Sequence, residues 1–133
     1  MNKNTLNISK IETYLNDIHD GVVSNNTFFT TYPNASMVRS SDWQDMVLID
    51  IPSGVSDMDA FGKGFVFIGL YARPLESGKK NVKKMSELEQ KLNAVLESAF
   101  DSRYMLRRND AYSTYDEDID WHCNVIELIL TIL

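Results

Sequence analysis

The chain has 133 residues, 44% of them apolar and 24% charged, with one cysteine and a formal net charge of −6 at pH 7. A chain of this length can bury a hydrophobic core without disulfides or metal ions, and its many aromatic residues argue against disorder. The negative charge disfavours binding to nucleic acids and to anionic membranes. Composition therefore predicts one globular domain, residues 1–133, with no specific nucleic-acid binding.

The sequence also bears on membrane insertion and export. Its longest apolar stretch, Phe65 to Ala72, is much shorter than the roughly 20 residues that cross a bilayer. Residues 1–7 lack the apolar core and small-residue cleavage site of a secretory signal. The single cysteine, Cys123, cannot form an internal disulfide, as fits a reducing compartment. We therefore expect no membrane segment, no signal peptide and synthesis in the cytoplasm.

The first half of the chain predicts one helix and three strands. Apolar residues recur every three or four positions from Ile8 to Val22, which predicts an amphipathic helix. Residues 25–32 are β-branched and aromatic and predict a short strand, whereas the polar residues 33–44 predict a loop. Compact apolar runs at residues 46–51 and 63–73 predict two buried strands.

The second half predicts one helix and two strands. Residues 81–100 carry apolar side chains at helical spacing, and Arg103 to Arg108 alternate between apolar and polar residues as in a strand. The acidic stretch from Asp110 to Asp120 predicts a turn. Residues 121–133 alternate again and predict a long strand. Its core face is expected to carry Ile126, Leu128, Leu130 and Ile132.

The predicted elements follow one another in the order α-β-β-β-α-β-β. Strands that are grouped along the chain and joined by short connections favour antiparallel pairing over a doubly wound parallel sheet. Both amphipathic helices have one apolar stripe, so both can lie on the same face of a sheet. The predicted class is α+β, with a mainly antiparallel sheet and two helices packed on one face.

Candidate metal ligands are densest between residues 110 and 123: Asp110, Asp116, Glu117, Asp118, Asp120, His122 and Cys123. Carboxylates with an imidazole can hold a divalent metal ion that activates water, which would make the protein a metal-assisted hydrolase. The spacing matches neither an EF-hand loop nor a zinc motif with paired Cys or His. We favour a solvated acidic hairpin and predict no metal and no other cofactor.

Nucleophilic and phosphate-binding sites receive little support. His122 and Cys123 are adjacent on a predicted strand, so their side chains point to opposite faces, and Cys123 is interpreted as a small buried hydrophobe. Gly62-Lys63-Gly64 precedes a strand and does not open a helix, unlike a phosphate-binding loop. Either of two basic clusters could contact an acidic partner, but both are expected to be solvated: Lys79, Lys80, Lys83 and Lys84, and Arg107 with Arg108.

Three segments together carry a resemblance to a known family. These are the strand at residues 65–73, the helix at 85–100, and the acidic stretch 115–122 that leads into the apolar strand 125–133. With the order of the elements, they resemble the tail-terminator (tail-completion) proteins of long-tailed bacteriophages and prophages. The resemblance implies a non-enzymatic, ring-forming protein, commonly hexameric, that caps the tail tube and joins it to the head connector.

That resemblance also implies partners and a location. The partners would be other copies of the chain, tail-tube proteins and head-connector proteins, and the location would be the host-cell cytoplasm during assembly and then the virion tail. The loops at residues 55–61 and 73–80 and the acidic hairpin are candidate contact regions, although the loops could equally be mobile surface segments. The candidate interface residues are Asp57, Met58, Phe61, Arg73, Glu76, Asp116 and Asp118. A non-viral protein-binding module is the remaining alternative.

Overall fold

The computed structural model describes residues 8–19, 22–51, 63–98 and 104–132. Within these ranges lie α1 (Ile8–His19), β1 (Thr27–Phe29), α2 (Ala35–Ser40), β2 (Asp45–Asp50), β3 (Lys63–Ala72), α3 (Val82–Ser98), β4 (Tyr104–Asp116) and β5 (Trp121–Ile132). The strands form one sheet in the order β1-β2-β3-β5-β4. All neighbouring pairs are antiparallel except β1 with β2. The predicted α+β class and mainly antiparallel sheet are confirmed.

The helices α1 and α3 pack on the same face of this sheet, as predicted. Ile11 of α1 and Leu88 of α3 have no exposed surface, and both belong to one apolar cluster with Ile68 of β3 and Leu128 of β5. Burying side chains of this size stabilises a fold by about 1.5–3 kcal/mol each. The periodic apolar residues of the helices therefore form the main core together with the inward face of the central strands.

A third, short helix lies in the region 33–44, so the prediction of a loop is wrong for residues 35–40. The side-chain Oδ1 of Asn34 caps α2, because it accepts hydrogen bonds from the backbone nitrogens of Ser36, at 2.9 Å, and Met37, at 3.2 Å. Val38 is fully buried. A six-residue helix is too short for an apolar repeat, so periodicity could not reveal it.

Two elements are shorter than predicted. Of residues 25–32, only Thr27–Phe29 form β1, because Thr30 has a φ of 72° and this turns the chain out of the extended conformation. Val22, predicted to lie on the stripe of the first helix, follows α1 in a turn and is 49% exposed. The helix α1 and its apolar stripe therefore end before Val22 and are shorter than predicted.

The strand β4 is longer than predicted. It continues to Asp116, and only residues 117–120 turn, so most of the predicted acidic turn is strand. A β-bulge shifts the pairing with β5 between Arg108 and Asp110 and leaves Asn109 unpaired. The bulge interrupts the alternation of side chains, and an exposed edge strand needs no apolar residues, so the sequence pattern failed there.

Candidate functional site

In residues 8–19, 22–51, 63–98 and 104–132, which the structure describes, only one end of the sheet face opposite α1 and α3 is covered. There α2 packs over the sheet, and Val38, Met46, Ile119 and Trp121 form a second buried cluster. Beyond that end the face is open and forms a shallow groove of about 380 Å³. The groove is lined by Thr30, Leu48, Asp50, Phe67, Gly69, Tyr71, Tyr112, Cys123 and Val125.

Gly69 shapes the floor of this groove. It lies in β3 opposite Leu48 of β2 and Val125 of β5. A Cβ atom added at Gly69 would lie 3.1 Å from Cε1 of Tyr71 and 3.5 Å from Sγ of Cys123. A glycine inside an apolar strand often marks such a close approach. That signal was present in the sequence, but no groove was predicted from it.

Two polar side chains of the groove, Cys123 and Tyr71, both lie close to Gly69 and interact with each other. Burial raises the pKa of the Cys123 thiol to about 12, and burial together with the sulfur raises the pKa of Tyr71. Cys123 is 1% exposed, which confirms its interpretation as a buried hydrophobe. A thiol with a raised pKa is a poor nucleophile.

A different surface lies at the end of the sheet that α2 covers, and we call it the tip surface. It comprises Arg39 of α2, Arg73 and Glu76 after β3, and Asp116 to Asp120 at the turn between β4 and β5. Arg39, Arg73, Glu76 and Asp120 line a shallow concavity of about 400 Å³. The tip surface therefore contains four of the predicted interface residues, Arg73, Glu76, Asp116 and Asp118.

Hydrogen bonds fix the acidic turn of the tip surface. Asp116 accepts a hydrogen bond from the Tyr32 hydroxyl at 3.0 Å and another from the backbone nitrogen of Asp118 at 2.9 Å. Partial burial and the Asp116 carboxylate raise the pKa of Tyr32 to about 12. Arg39 donates to the carbonyl oxygen of Asp118, and the Tyr115 hydroxyl donates to Asp120 at 3.3 Å. The carboxylates of Asp116 and Asp120 are thus oriented by neighbouring hydroxyl groups.

The predicted interface residues differ in the exposure and hydrogen bonding of their side chains. Arg73 is half-buried and bonded to backbone carbonyl groups, whereas Glu76 and Asp118 are exposed. Asp57, Met58 and Phe61 lie outside the described residues.

The residues considered as metal ligands are not arranged as a metal site. In the described part of the chain, no three His, Cys, Asp or Glu side chains are grouped to hold an ion. His122 lies on the helix-bearing face, where its ring is 4.9 Å from that of Tyr115 and its Nε2 is 3.4 Å from the carbonyl oxygen of Gly78. Partial burial and then the Lys80 ammonium lower the pKa of His122. Cys123 faces the opposite side, as the alternation predicted.

The expectation that the lysines near the second predicted helix are solvated is wrong for two of them. Lys84 pairs with Asp45 at 2.9 Å, and Asp45 also accepts a hydrogen bond from the buried Ser24 at 2.5 Å. Lys80 donates to Asn124 at 2.9 Å, which holds the loop before α3 against β5. Sequence spacing could not reveal these pairs, because their partners lie on distant strands.

Comparisons with known proteins identify no family for this chain. No protein-family model matches the chain, and a search of curated protein sequences gives no match either. Within the described residues, no helix is both long enough and apolar enough to cross a membrane.

Proposed function

We propose that this protein is a virion assembly protein of the tail-terminator type, which caps the phage tail tube and joins it to the head connector through ring-like self-association. One observation carries the proposal: two predicted contact segments, one with Arg73 and Glu76 and the other with Asp116 and Asp118, belong to one tip surface. In this proposal the protein acts in the host cytoplasm during assembly and then in the virion tail.

The charge of the tip surface supports this role. Its turn carries Asp116, Glu117, Asp118 and Asp120, and no lysine or arginine lies between these residues. A ring whose lumen exposes such carboxylates repels the phosphate backbone of DNA and does not retain it during passage. The hydrogen bonds to Asp116 hold the turn in one shape. A fixed turn loses less conformational entropy on binding than a mobile one, which favours assembly.

The surface also offers both charge signs to a neighbouring subunit. Exposed Arg39 and exposed Glu76 line the same concavity, and Arg39 donates a hydrogen bond to the carbonyl oxygen of exposed Asp118. A head-to-tail ring contact joins two different surfaces, so mixed charges on one of them help to select the complementary surface of the next subunit. We therefore assign one side of the subunit contact, or the contact to the tail tube, to the tip surface.

The test is binding to a tail tube. The purified protein is mixed with tubes of the tail-tube protein encoded near its gene, and negative-stain electron microscopy records rings at the tube ends. We expect Glu76→Lys and Asp118→Lys to reduce the occupancy of tube ends by about tenfold, since each reverses an exposed charge at the contact. Glu97→Lys makes the same charge change on exposed α3 and serves as the control.

Two results would contradict the proposal. One is wild-type protein that neither forms rings nor binds tubes, and the other is the absence of any tail-tube or tape-measure gene beside this gene. Binding instead to a host protein through the same tip surface would favour a non-viral binding module. Binding that responds equally to all three substitutions would remove the tip surface from the contact.

A further inference from the structure

Among the strands that the structure describes, β4 forms a long edge of the sheet with no partner on its outer side. In the described ranges it is the outer strand and pairs only with β5; its 13 residues contain neither proline nor lysine, and Asn109 at the bulge is unpaired. Its residues are exposed along almost the whole length, including Met105 at 50% and Tyr112 at 53%. Proteins usually shorten, cover or charge such an edge, because unpaired backbone groups recruit another chain. The opposite edge, β1, has only three residues.

The bulge at Asn109 decides which side chains share a face. Arg107 lies opposite Ile129, and Asp110 opposite Glu127, so both project on the open face of the sheet, next to each other along β4. In the described part of the chain, Arg107 has no hydrogen-bond or ion-pair partner, and the Asp110 carboxylate accepts only from the backbone nitrogen of Ala111, at 2.8 Å. One cation and one anion on this edge therefore lack a side chain of opposite charge.

We propose that β4 pairs antiparallel with β4 of a second copy, about a two-fold axis at the bulge, so that Arg107 of each copy lies opposite Asp110 of the other. In a two-fold contact, residue i faces residue j and j faces i. The register forms two Arg107–Asp110 pairs and two Met105–Tyr112 pairs. All four residues project on the open face, so the side chains of each pair meet on one side of the joined sheet.

The bulge makes this register specific to a second copy. A regular strand beside β4 would leave Asn109 without an opposite residue, as β5 does. A second copy has the same bulge, so Arg108 of each copy lies opposite Asn109 of the other at the axis. On both sides of the axis, residues that lie opposite each other then project on the same face of the joined sheet. In one neighbouring register, opposite residues also project on the same face. That register sets Arg107 opposite Tyr112, so neither Arg107 nor Asp110 lies opposite a residue of opposite charge. Charge complementarity selects the first register.

This inference does not rest on the proposed function. A two-fold contact closes with two copies, so it describes the free protein and gives the backbone groups of this edge a partner strand. The proposed dimer contact involves the middle of β4, whereas the tip surface includes only the last residue of β4, Asp116. The two proposals can therefore fail separately.

Exchange of the two charges tests the contact. Sedimentation velocity over a range of protein concentrations measures the dimer dissociation constant of the wild type, Arg107→Asp, Asp110→Arg and the double variant. Each single substitution places like charges opposite each other twice, and we expect about tenfold weaker dimerisation or more. The double variant restores opposite charges and should recover wild-type dimerisation. Glu97→Arg controls for the change in net charge, and circular dichroism confirms folding.

Paired cysteines test the register. Met105 and Tyr112 are seven positions apart in one strand, about 23 Å, so cysteines at these positions cannot bridge within one chain. In the proposed register, Met105→Cys combined with Tyr112→Cys gives a disulfide-linked dimer under mild oxidation. Met105→Cys combined with Thr114→Cys would link only the neighbouring register. A wild-type monomer at all concentrations, association insensitive to the charge variants, or linkage through the second pair alone would overturn the proposal.

Discussion

The guanidinium group of Arg73 lies over the indole ring of Trp121, with its central carbon 4.8 Å from the ring centroid. The same group donates hydrogen bonds to the carbonyl oxygens of Trp43 at 2.6 Å, Ser41 at 2.9 Å and Val38 at 3.1 Å. The end of β3 is thereby joined to α2, to the segment after α2 and to the start of β5. A planar group with several fixed donors is needed for this arrangement, and lysine does not provide one.

We expect Arg73→Lys to lower the free energy of unfolding by about 2–3 kcal/mol, since carbonyl groups lose charged donors and the stacking on Trp121 is lost. Urea unfolding followed by tryptophan fluorescence measures the change. Arg39→Lys is the matched control, because Arg39 is exposed; its expected effect is below about 1 kcal/mol. Equal losses in the two variants would show that Arg73 does not hold this end of the fold together.

The cap of α2 gives a second prediction. Asn34→Ala removes the oxygen that accepts from the backbone nitrogens of Ser36 and Met37, and we expect a loss of about 1 kcal/mol in stability. Asn34→Asp keeps an acceptor at the same position and should retain most of the stability. Urea unfolding of both variants measures the difference. A loss in Asn34→Asp as large as in Asn34→Ala would argue against the capping role.

The thiol of Cys123 gives a third prediction. Because burial raises its pKa to about 12 and only 1% of the residue is exposed, a disulfide reagent such as DTNB should label the native protein very slowly at about pH 8. We expect labelling to accelerate by about a hundredfold or more when guanidinium unfolds the chain. Absorbance at the reagent's thiolate band follows the reaction. Rapid labelling of the native protein would show that the floor of the groove is open and the thiol is reactive.

The sequence predicted the elements that bury a regular apolar pattern and missed those held by other interactions. Leu88 and Leu128 repeat with the period of their elements, so α3 and β5 were predictable. The helix α2 depends on the Asn34 cap and on Arg73 from a distant strand, and neither produces a periodic pattern. The groove arises because Gly69 lacks a side chain where three strands meet. Contacts of this kind depend on strand order, which local sequence does not encode.

The pH dependence of stability gives the last prediction, and it depends on His122. Partial burial lowers the pKa of His122 from 6.5, and the Lys80 ammonium lowers it further. The unfolded chain therefore binds a proton near pH 6.5, while the folded protein binds it only at lower pH. The neutral imidazole thus favours the folded state fully above pH 6.5, and this contribution is lost as the pH falls from 6.5 through the folded pKa.

We therefore expect the wild type to lose more stability than His122→Gln when the pH is lowered from about 7.5 to about 5. The glutamine variant has no group that titrates at this position, so the difference between the two proteins isolates His122. Urea unfolding at several pH values measures it, and an NMR titration of the imidazole in the folded protein measures the pKa itself. Equal losses of stability, or an imidazole pKa at or above 6.5, would contradict the assigned effect of burial and Lys80.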